Sequence, residues 1–100
     1  MAITSIIAAT TADVAGADAD FTAAGRGFWL FGSGFGKGEF ARVEGLGADG
    51  ATYETKTNED GPIHVTANPN TVFVDLPAGT YRIAKMATAV AAGVAFEEAA

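Results

Sequence analysis

The sequence contains no cysteine, and that absence removes two kinds of site. Without thiols the chain forms neither disulfide bonds nor thiolate metal centres, and its one histidine adds little to other metal sites. Basic residues are also scarce: six Lys and Arg oppose 12 Asp and Glu, which gives a formal net charge of −6. Nucleic acids and anionic membranes are therefore disfavoured as partners, since binding their phosphates requires a basic surface.

Long apolar runs and large apolar side chains are also in short supply. The longest apolar stretch, residues 89–96, is about eight residues long, whereas a membrane-spanning helix needs about 20. The apolar run at 6–9 is too short for an export signal and is followed at once by threonines. Much of the 49% hydrophobic content is alanine, which gains little free energy on burial. A core this thin favours oligomerisation or docking on a larger assembly.

What the sequence does contain is a series of short strand patterns. Residues 25–38 combine six glycines with aromatic residues, a mixture that favours strands and tight bends over helix. Residues 39–57 predict a hairpin with an Asp-Gly turn at 49–50. The clearest strand is 71–76, where Val72, Val74 and Leu76 share one face and Phe73 lies on the other.

Turn signals about every ten residues predict an all-β fold. We expect a small antiparallel β-sandwich or jelly-roll-like domain of seven or eight short strands with an extended N-terminal arm. Residues 1–24 are predicted to be this arm or a first strand, and residues 25–100 the sandwich domain. The low charge of the first segment would let it dock on another sheet.

The sequence offers no pattern of catalytic residues. Around Gly36-Lys37, Phe31 and Gly38 stand where a phosphate loop needs a glycine and a hydroxyl residue. His64 lies in an apolar strand without a nucleophile motif nearby, so we interpret it as a packed or edge-strand histidine. The prediction is therefore no enzyme activity, no catalytic residue, no cofactor and no metal ligand. Weak Ca²⁺ binding at an acidic turn, at 18–20 or 58–61, stays open.

The stretch 76–81, Leu-Pro-Ala-Gly-Thr-Tyr, resembles the tyrosine corner of immunoglobulin-like and fibronectin-like sandwiches. In those domains the tyrosine hydroxyl bonds to backbone a few residues upstream and fixes the corner. The resemblance implies a structural role for Leu76, Gly79 and Tyr81. It supports the sandwich architecture and implies nothing about a ligand.

Residues 25–98 are also similar in overall style to small β-rich virion proteins of tailed bacteriophages. The similarity lies in the order of a Gly/aromatic strand, an Asp-Gly hairpin, an apolar strand, the 76–83 stretch and a short closing strand. It implies a non-enzymatic structural protein, a capsid decoration or cement component. Its partners would be the major capsid protein or another virion protein, and copies of itself in a homo-oligomer. Its location would be the virion, and the host cytoplasm during assembly.

The expected interface lies in the aromatic segment. Alternation along a strand divides its aromatic residues between core and surface, and we expect Trp29 to point outward while Phe28 and Leu30 point inward. The candidate interface residues are Phe28, Trp29, Phe31 and Phe35. The alternative is a small carbohydrate- or ligand-binding module, in which Trp29, Tyr53 and Tyr81 form a stacking platform.

Overall fold

The chain alternates between two antiparallel sheets in a computed structural model that describes residues 3–14, 19–47, 50–58 and 61–99. These residues contain no α-helix and form eleven strands. The strands are β1 (Thr4–Thr10), β2 (Asp20–Ala23), β3 (Phe28–Ser33), β4 (Phe40–Leu46), β5 (Tyr53–Thr55), β6 (Thr57–Asn58), β7 (Gly61–Pro62), β8 (His64–Thr66), β9 (Thr71–Val74), β10 (Gly79–Lys85) and β11 (Ala92–Glu98).

Sheet I has the strand order β1-β11-β3-β9, and sheet II has the order β2-β10-β4-β5 with β8 also paired to β4. β6 and β7 form a separate two-stranded ladder. The pairing is nested: β1 pairs with β11, β2 with β10, β3 with β9 and β4 with β8. This is the topology of a jelly roll, in which a long hairpin wraps into two facing sheets.

The structure thus confirms the predicted all-β sandwich and selects its jelly-roll form, with eleven strands in the described residues where seven or eight were predicted. The strand order differs from that of immunoglobulin domains, in which the first two strands are neighbours in one sheet. Here β1 and β2 lie in different sheets. The immunoglobulin resemblance therefore extends to the corner at Tyr81 and not to the order of the strands.

The core lies between the two sheets and is centred on aromatic rings. Phe21 of sheet II lies with its ring centroid 5.3 Å from that of Phe28 and 5.1 Å from that of Phe96, both in sheet I. Tyr81 is 6.0 Å from Phe21 on the same sheet. Fully buried aliphatic side chains surround these rings, namely Leu30, Val43, Val65, Val74, Ile83 and Val94. Alternating residues of each strand supply this core, as a two-sheet sandwich requires.

Residues 1–24, expected to be an arm or first strand, contribute to both sheets. β1 pairs with β11 and β2 with β10, and between them Val14 pairs with Lys85. The described part of this segment belongs to the sandwich and does not project from it. The reason is burial: Ile7, Phe21 and Ala23 are 5%, 7% and 2% exposed, and a projecting arm would leave them in water.

The strand patterns after residue 38 match the structure closely. β4 pairs with β5 with Leu46 opposite Tyr53, which confirms the hairpin predicted for 39–57, although Ala48 and Asp49 of its turn lie outside the described residues. β9 keeps the predicted alternation, since Val74 is buried and Phe73 is 45% exposed. The strand ends at Val74 and is two residues shorter than predicted.

The corner before β10 has the hydrogen bond implied by its resemblance. The hydroxyl of Tyr81 donates to the carbonyl oxygen of Pro77 at 2.7 Å, and Tyr81 is 6% exposed. Burial raises the pKa of the Tyr81 phenol above its ordinary value of 10.0. Leu76 packs against the core beside it. The corner therefore fixes the turn between β9 in sheet I and β10 in sheet II.

We expect Tyr81→Phe to lower the free energy of unfolding by about 1 kcal/mol, because it removes the hydrogen bond and keeps the ring. Tyr53→Phe is the matched control, since the Tyr53 ring is packed under Arg82 and its hydroxyl is not needed for that contact. Urea denaturation at pH 7 measures both variants. If both variants lose the same free energy of unfolding, the corner hydrogen bond does not stabilise the fold.

Candidate functional site

The predicted interface aromatics divide between core and surface along β3. Phe28 and Leu30 are 0% and 1% exposed, whereas Trp29 between them is 41% exposed. The outward orientation of Trp29 is thus confirmed. Phe35 is 8% exposed and packs in the core, so neither Phe28 nor Phe35 can serve as a contact residue in the folded domain. Of the four candidates, Trp29 and the half-buried Phe31 reach the surface.

Phe73 completes an aromatic surface with these two residues. It lies directly opposite Trp29 in the β3–β9 ladder, and the two rings meet edge to face with centroids 4.9 Å apart. We call Trp29, Phe31 and Phe73 the aromatic patch. Phe73 was not among the predicted interface residues, although its place between two inward-facing valines indicates an outward side chain.

Glycine at position 27 allows Phe73 to lie where it does. A Cβ atom built on Gly27 would collide with the end of the Phe73 ring, and the backbone there has a φ of 85°, which favours glycine. The Phe73 ring therefore packs directly against the backbone of Gly27, just before β3. This support orients Phe73 toward Trp29.

Most neighbours of the aromatic patch within sheet I are small and uncharged, and two acidic residues, Glu97 and Asp75, lie near its Trp29–Phe73 end. The register places Thr71 and Ala95 on either side of Phe31, with Ser5 beyond Ala95. Glu97 lies opposite Trp29 on β11 and is the charged residue of this row. Three aromatic rings with a mostly neutral surround form a surface suited to protein contact, where Trp and Phe are enriched and charges are depleted.

The outer face of sheet II carries a different feature, a groove of about 260 Å³ beside Phe40. Phe40, Arg42 and His64 line it together with two other residues. The Phe40 and His64 rings meet edge to face at 6.0 Å. The Nδ1 of His64 lies 2.8 Å from the carbonyl oxygen of Pro62, so Nδ1 carries a proton and donates it. The groove thus has an aromatic wall and three polar side chains, those of Arg42, Thr55 and His64.

The stacking platform proposed for a sugar-binding module is not formed. Tyr81 is buried at the corner, and Trp29 and Tyr53 lie in strands of different sheets. The guanidinium carbon of Arg82 lies 3.5 Å from the centroid of the Tyr53 ring, so a cation already covers that ring. Alternation in one strand does not reveal which sheet a second strand joins, which is why the sequence could not exclude this platform.

Sequence reasoning missed Lys85, which is 2% exposed. Its ammonium donates to the carbonyl oxygens of Ala12 at 2.8 Å and Met86 at 3.1 Å, and to Thr88 Oγ1 at 3.3 Å. Burial lowers the pKa of Lys85 below its ordinary 10.5, while the carboxylates of Glu39 and Asp13 oppose that shift. Its inward position follows from the period of two set by Tyr81 and Ile83.

Glu39 connects two loops at the same end of the domain, the β3–β4 loop and the β10–β11 loop. Its carboxylate accepts backbone N–H bonds from Gly36 at 2.7 Å and from Ala89 at 3.0 Å. These two bonds hold the pKa of Glu39 below its ordinary 4.5. Lys85 and Glu39 thus connect loops at this end of the domain.

The remaining polar candidates lie apart. His64 is exposed on β8, whereas Ser5 and Ser33 are exposed on strands of sheet I. Within the described residues no group of three or more His, Cys, Asp or Glu side chains could hold a metal ion. The acidic turns considered for Ca²⁺ fall largely on residues outside the described part of the chain.

No protein-family model matches the chain, and no curated protein or solved structure is significantly similar to it. Among the described residues no helix is long and apolar enough to cross a membrane. The case for function therefore depends on the surfaces of the jelly roll itself.

We expect Trp29→Ala to lower the free energy of unfolding by about 1–2 kcal/mol, because it removes the edge-to-face contact with Phe73 but leaves the core between the sheets intact. Phe28→Ala, one position away, leaves a cavity between the sheets and costs about 3–5 kcal/mol. Urea denaturation followed by circular dichroism compares the two. A large loss in Trp29→Ala would mean that Trp29 is structural and not available for contact.

The buried ammonium predicts a pH effect. Because burial places the pKa of Lys85 in the folded state below its value in the unfolded chain, the unfolded state binds this proton more tightly. Stability relative to Lys85→Met should therefore rise with pH between the lowered pKa and 10.5. Chemical denaturation from pH 7 upward measures the difference, with the exposed Lys37→Met as control. A difference that stays flat or falls with pH contradicts the prediction.

Proposed function

We propose that the protein is a non-enzymatic structural component of a virus particle, a capsid decoration or cement protein of tailed-bacteriophage type. It docks on the capsid or another virion protein through the aromatic patch. The observation that carries the proposal is the Trp29–Phe73 pair, which is exposed on a sheet whose other face is already packed. The two rings lie outside the core and stabilise the sheet through their cross-strand contact with each other, and the exposed part of each ring is available for contact with a partner.

The fold supports the proposal by analogy only. Jelly rolls build viral capsid proteins, and they also build lectin domains. Fold alone does not assign function, so the choice between these classes depends on the surface. Here the larger aromatic pair lies exposed on a sheet face, and exposed aromatic rings of this kind suit contact with a protein partner.

The size of the aromatic patch limits how tightly one copy can bind. If Trp29 and Phe73, with 41% and 45% exposure, have about 200 Å² each to bury, covering both removes about 170 Å² from water. At about 25 cal/mol per Å² this gives about 4 kcal/mol. Before the cost of association is subtracted, that free energy corresponds to a dissociation constant of about 1 mM, so the two rings alone bind no more tightly than this. The patch therefore serves as the anchor of a larger or repeated contact.

The second candidate function is binding of a small ligand in the groove beside Phe40, a different site from the platform of Trp29, Tyr53 and Tyr81 expected from the sequence. The observation that favours it is the combination of the Phe40 ring with the polar side chains of Arg42 and His64. A sugar or another small polar ring could stack on Phe40 and bond to these groups. This site lies on the sheet opposite the aromatic patch, so the two functions predict different sensitive residues.

The test is addition of the purified protein to particles of the phage that encodes it, prepared without this protein, with bound protein quantified after sedimentation. We expect saturable binding that falls more than about tenfold in the Trp29→Ala/Phe73→Ala double variant. Phe40→Ala is the matched control and should bind normally.

Two outcomes overturn the proposal. The protein is neither found in the particles nor bound by them, or the double variant binds as well as the unmodified chain. If Phe40→Ala loses binding and the double variant keeps it, the docking site is the groove beside Phe40.

A further inference from the structure

The outer faces of the two sheets differ in whether their acidic side chains have basic partners. On sheet II two carboxylates are each paired with an arginine at 3.2 Å, Glu44 with Arg42 and Asp20 with Arg82. On sheet I, Glu97 is half-buried on β11 and Asp75 is exposed just after β9. Neither Glu97 nor Asp75 has an ion pair within the described residues. Two negative charges on sheet I are therefore left without a partner in the chain.

These two carboxylates lie on two sides of the Trp29–Phe73 pair. Glu97 is directly opposite Trp29 in the β11–β3 ladder, and residues paired in this way have Cβ atoms about 4.5–5.5 Å apart. Asp75 follows Phe73 by two residues, and alternation along the chain directs both to the same face. A cation is attracted by carboxylates and by the electron-rich faces of aromatic rings. The aromatic end of sheet I thus suits a positively charged side chain.

The charge of the whole chain acts in the same direction. Its formal net charge of −6 attracts a basic partner from a distance and repels an acidic one. Arg26 is the basic residue closest to Trp29 along the chain, and it is exposed in the turn before β3. It pairs with neither carboxylate in the part of the chain that the structure describes. The long-range field and the local charges therefore favour the same kind of partner.

The same sheet face has a shallow hollow of about 240 Å³ beside Phe31. The buried residues Ile7 and Val94 contribute to its lining, and none of the lining residues is charged. For comparison, an apolar cavity of about 150 Å³ is large enough for benzene. Phe31 follows Trp29 by two residues on the same face, so the hollow begins about 7 Å from Trp29 along β3. It therefore suits an aliphatic side chain close to the basic one.

We propose that the partner protein docks on sheet I with an extended segment that carries a lysine or arginine and, about two to four positions away, an aliphatic residue. The basic side chain lies on the Trp29–Phe73 pair, where Glu97 and Asp75 bind its charge. The aliphatic side chain enters the hollow beside Phe31. This inference rests on the proposed function for the docking face and adds the chemistry of the partner. Both contacts supply affinity that two rings alone lack.

The first experiment uses Trp29 fluorescence, because the chain contains one tryptophan. The purified protein is titrated with the peptide acetyl-Arg-Ala-Leu-Ala-Leu-amide and with the same peptide in which citrulline replaces arginine. Citrulline keeps the shape of arginine and lacks its charge. We expect saturable changes in fluorescence, with a dissociation constant at least about fivefold lower for the arginine peptide.

Variants test whether the two carboxylates cause this preference. Glu97→Gln/Asp75→Asn removes both charges and keeps the rings, so its preference for the arginine peptide should fall below about twofold. Glu54→Gln/Asp20→Asn is the matched control, since it makes the same change in net charge on sheet II and should keep the full preference. Circular dichroism confirms that both variants fold.

Three results overturn the proposal: the unmodified protein binds both peptides equally, it binds neither, or Glu97→Gln/Asp75→Asn keeps the full preference for arginine.

The particle-binding assay separates this inference from the proposed function. Binding to particles should weaken at high salt and should fall at least about fivefold in Glu97→Gln/Asp75→Asn. If this variant binds particles as well as the unmodified protein does, the docking function is kept and the basic contact is wrong. If the protein prefers the arginine peptide and does not bind particles, the basic contact is correct and the virion partner is wrong.

Discussion

Contact between aromatic rings of the two sheets is the interaction on which the rest of the structure depends. Phe21 enters the core from the edge strand of sheet II and meets Phe28 and Phe96 of sheet I at 5.3 and 5.1 Å. Such pairs add about 0.5–1.5 kcal/mol each beyond the burial of their area. In a chain so rich in alanine, few other side chains are large enough to span the gap between sheets. The outer faces can vary as long as this cluster is kept.

The loops at the two ends of the sandwich are held by different chemistry. At one end a neutral hydroxyl, that of Tyr81, bonds to the backbone. At the other, Lys85 and Glu39 use full charges to bind backbone groups of three separate loops. Charged hydrogen bonds are the stronger kind, and they compensate for loops with few large apolar residues. With both ends fixed, the outer faces of the two sheets are the surfaces left for contact with a partner.

Sequence patterns predicted the parts of this fold that are local. The outward orientation of Trp29, the hairpin of β4 and β5 and the corner at Tyr81 all depend on residues within a few positions of each other. The partner of β1 could not be predicted, because Thr4 pairs with Phe96 at the other end of the described chain. For the same reason the sequence could not predict that Trp29 and Tyr53 lie in different sheets. Lys85 was missed because a lysine is ordinarily assigned to the surface.

Nested pairing also determines the order in which the protein can be completed during synthesis. Each strand from β1 to β4 pairs with a strand that is synthesised later. The delay between synthesis and pairing is longest for β1, whose partner β11 is synthesised last. Until residues 92–98 emerge, the isoleucines of β1 have no sheet to join. Contacts this distant in the chain form slowly, and unpaired apolar strands aggregate in the meantime. The even spread of alanine and threonine through residues 4–12, in place of more isoleucine or valine, limits that hazard while the nascent chain is incomplete.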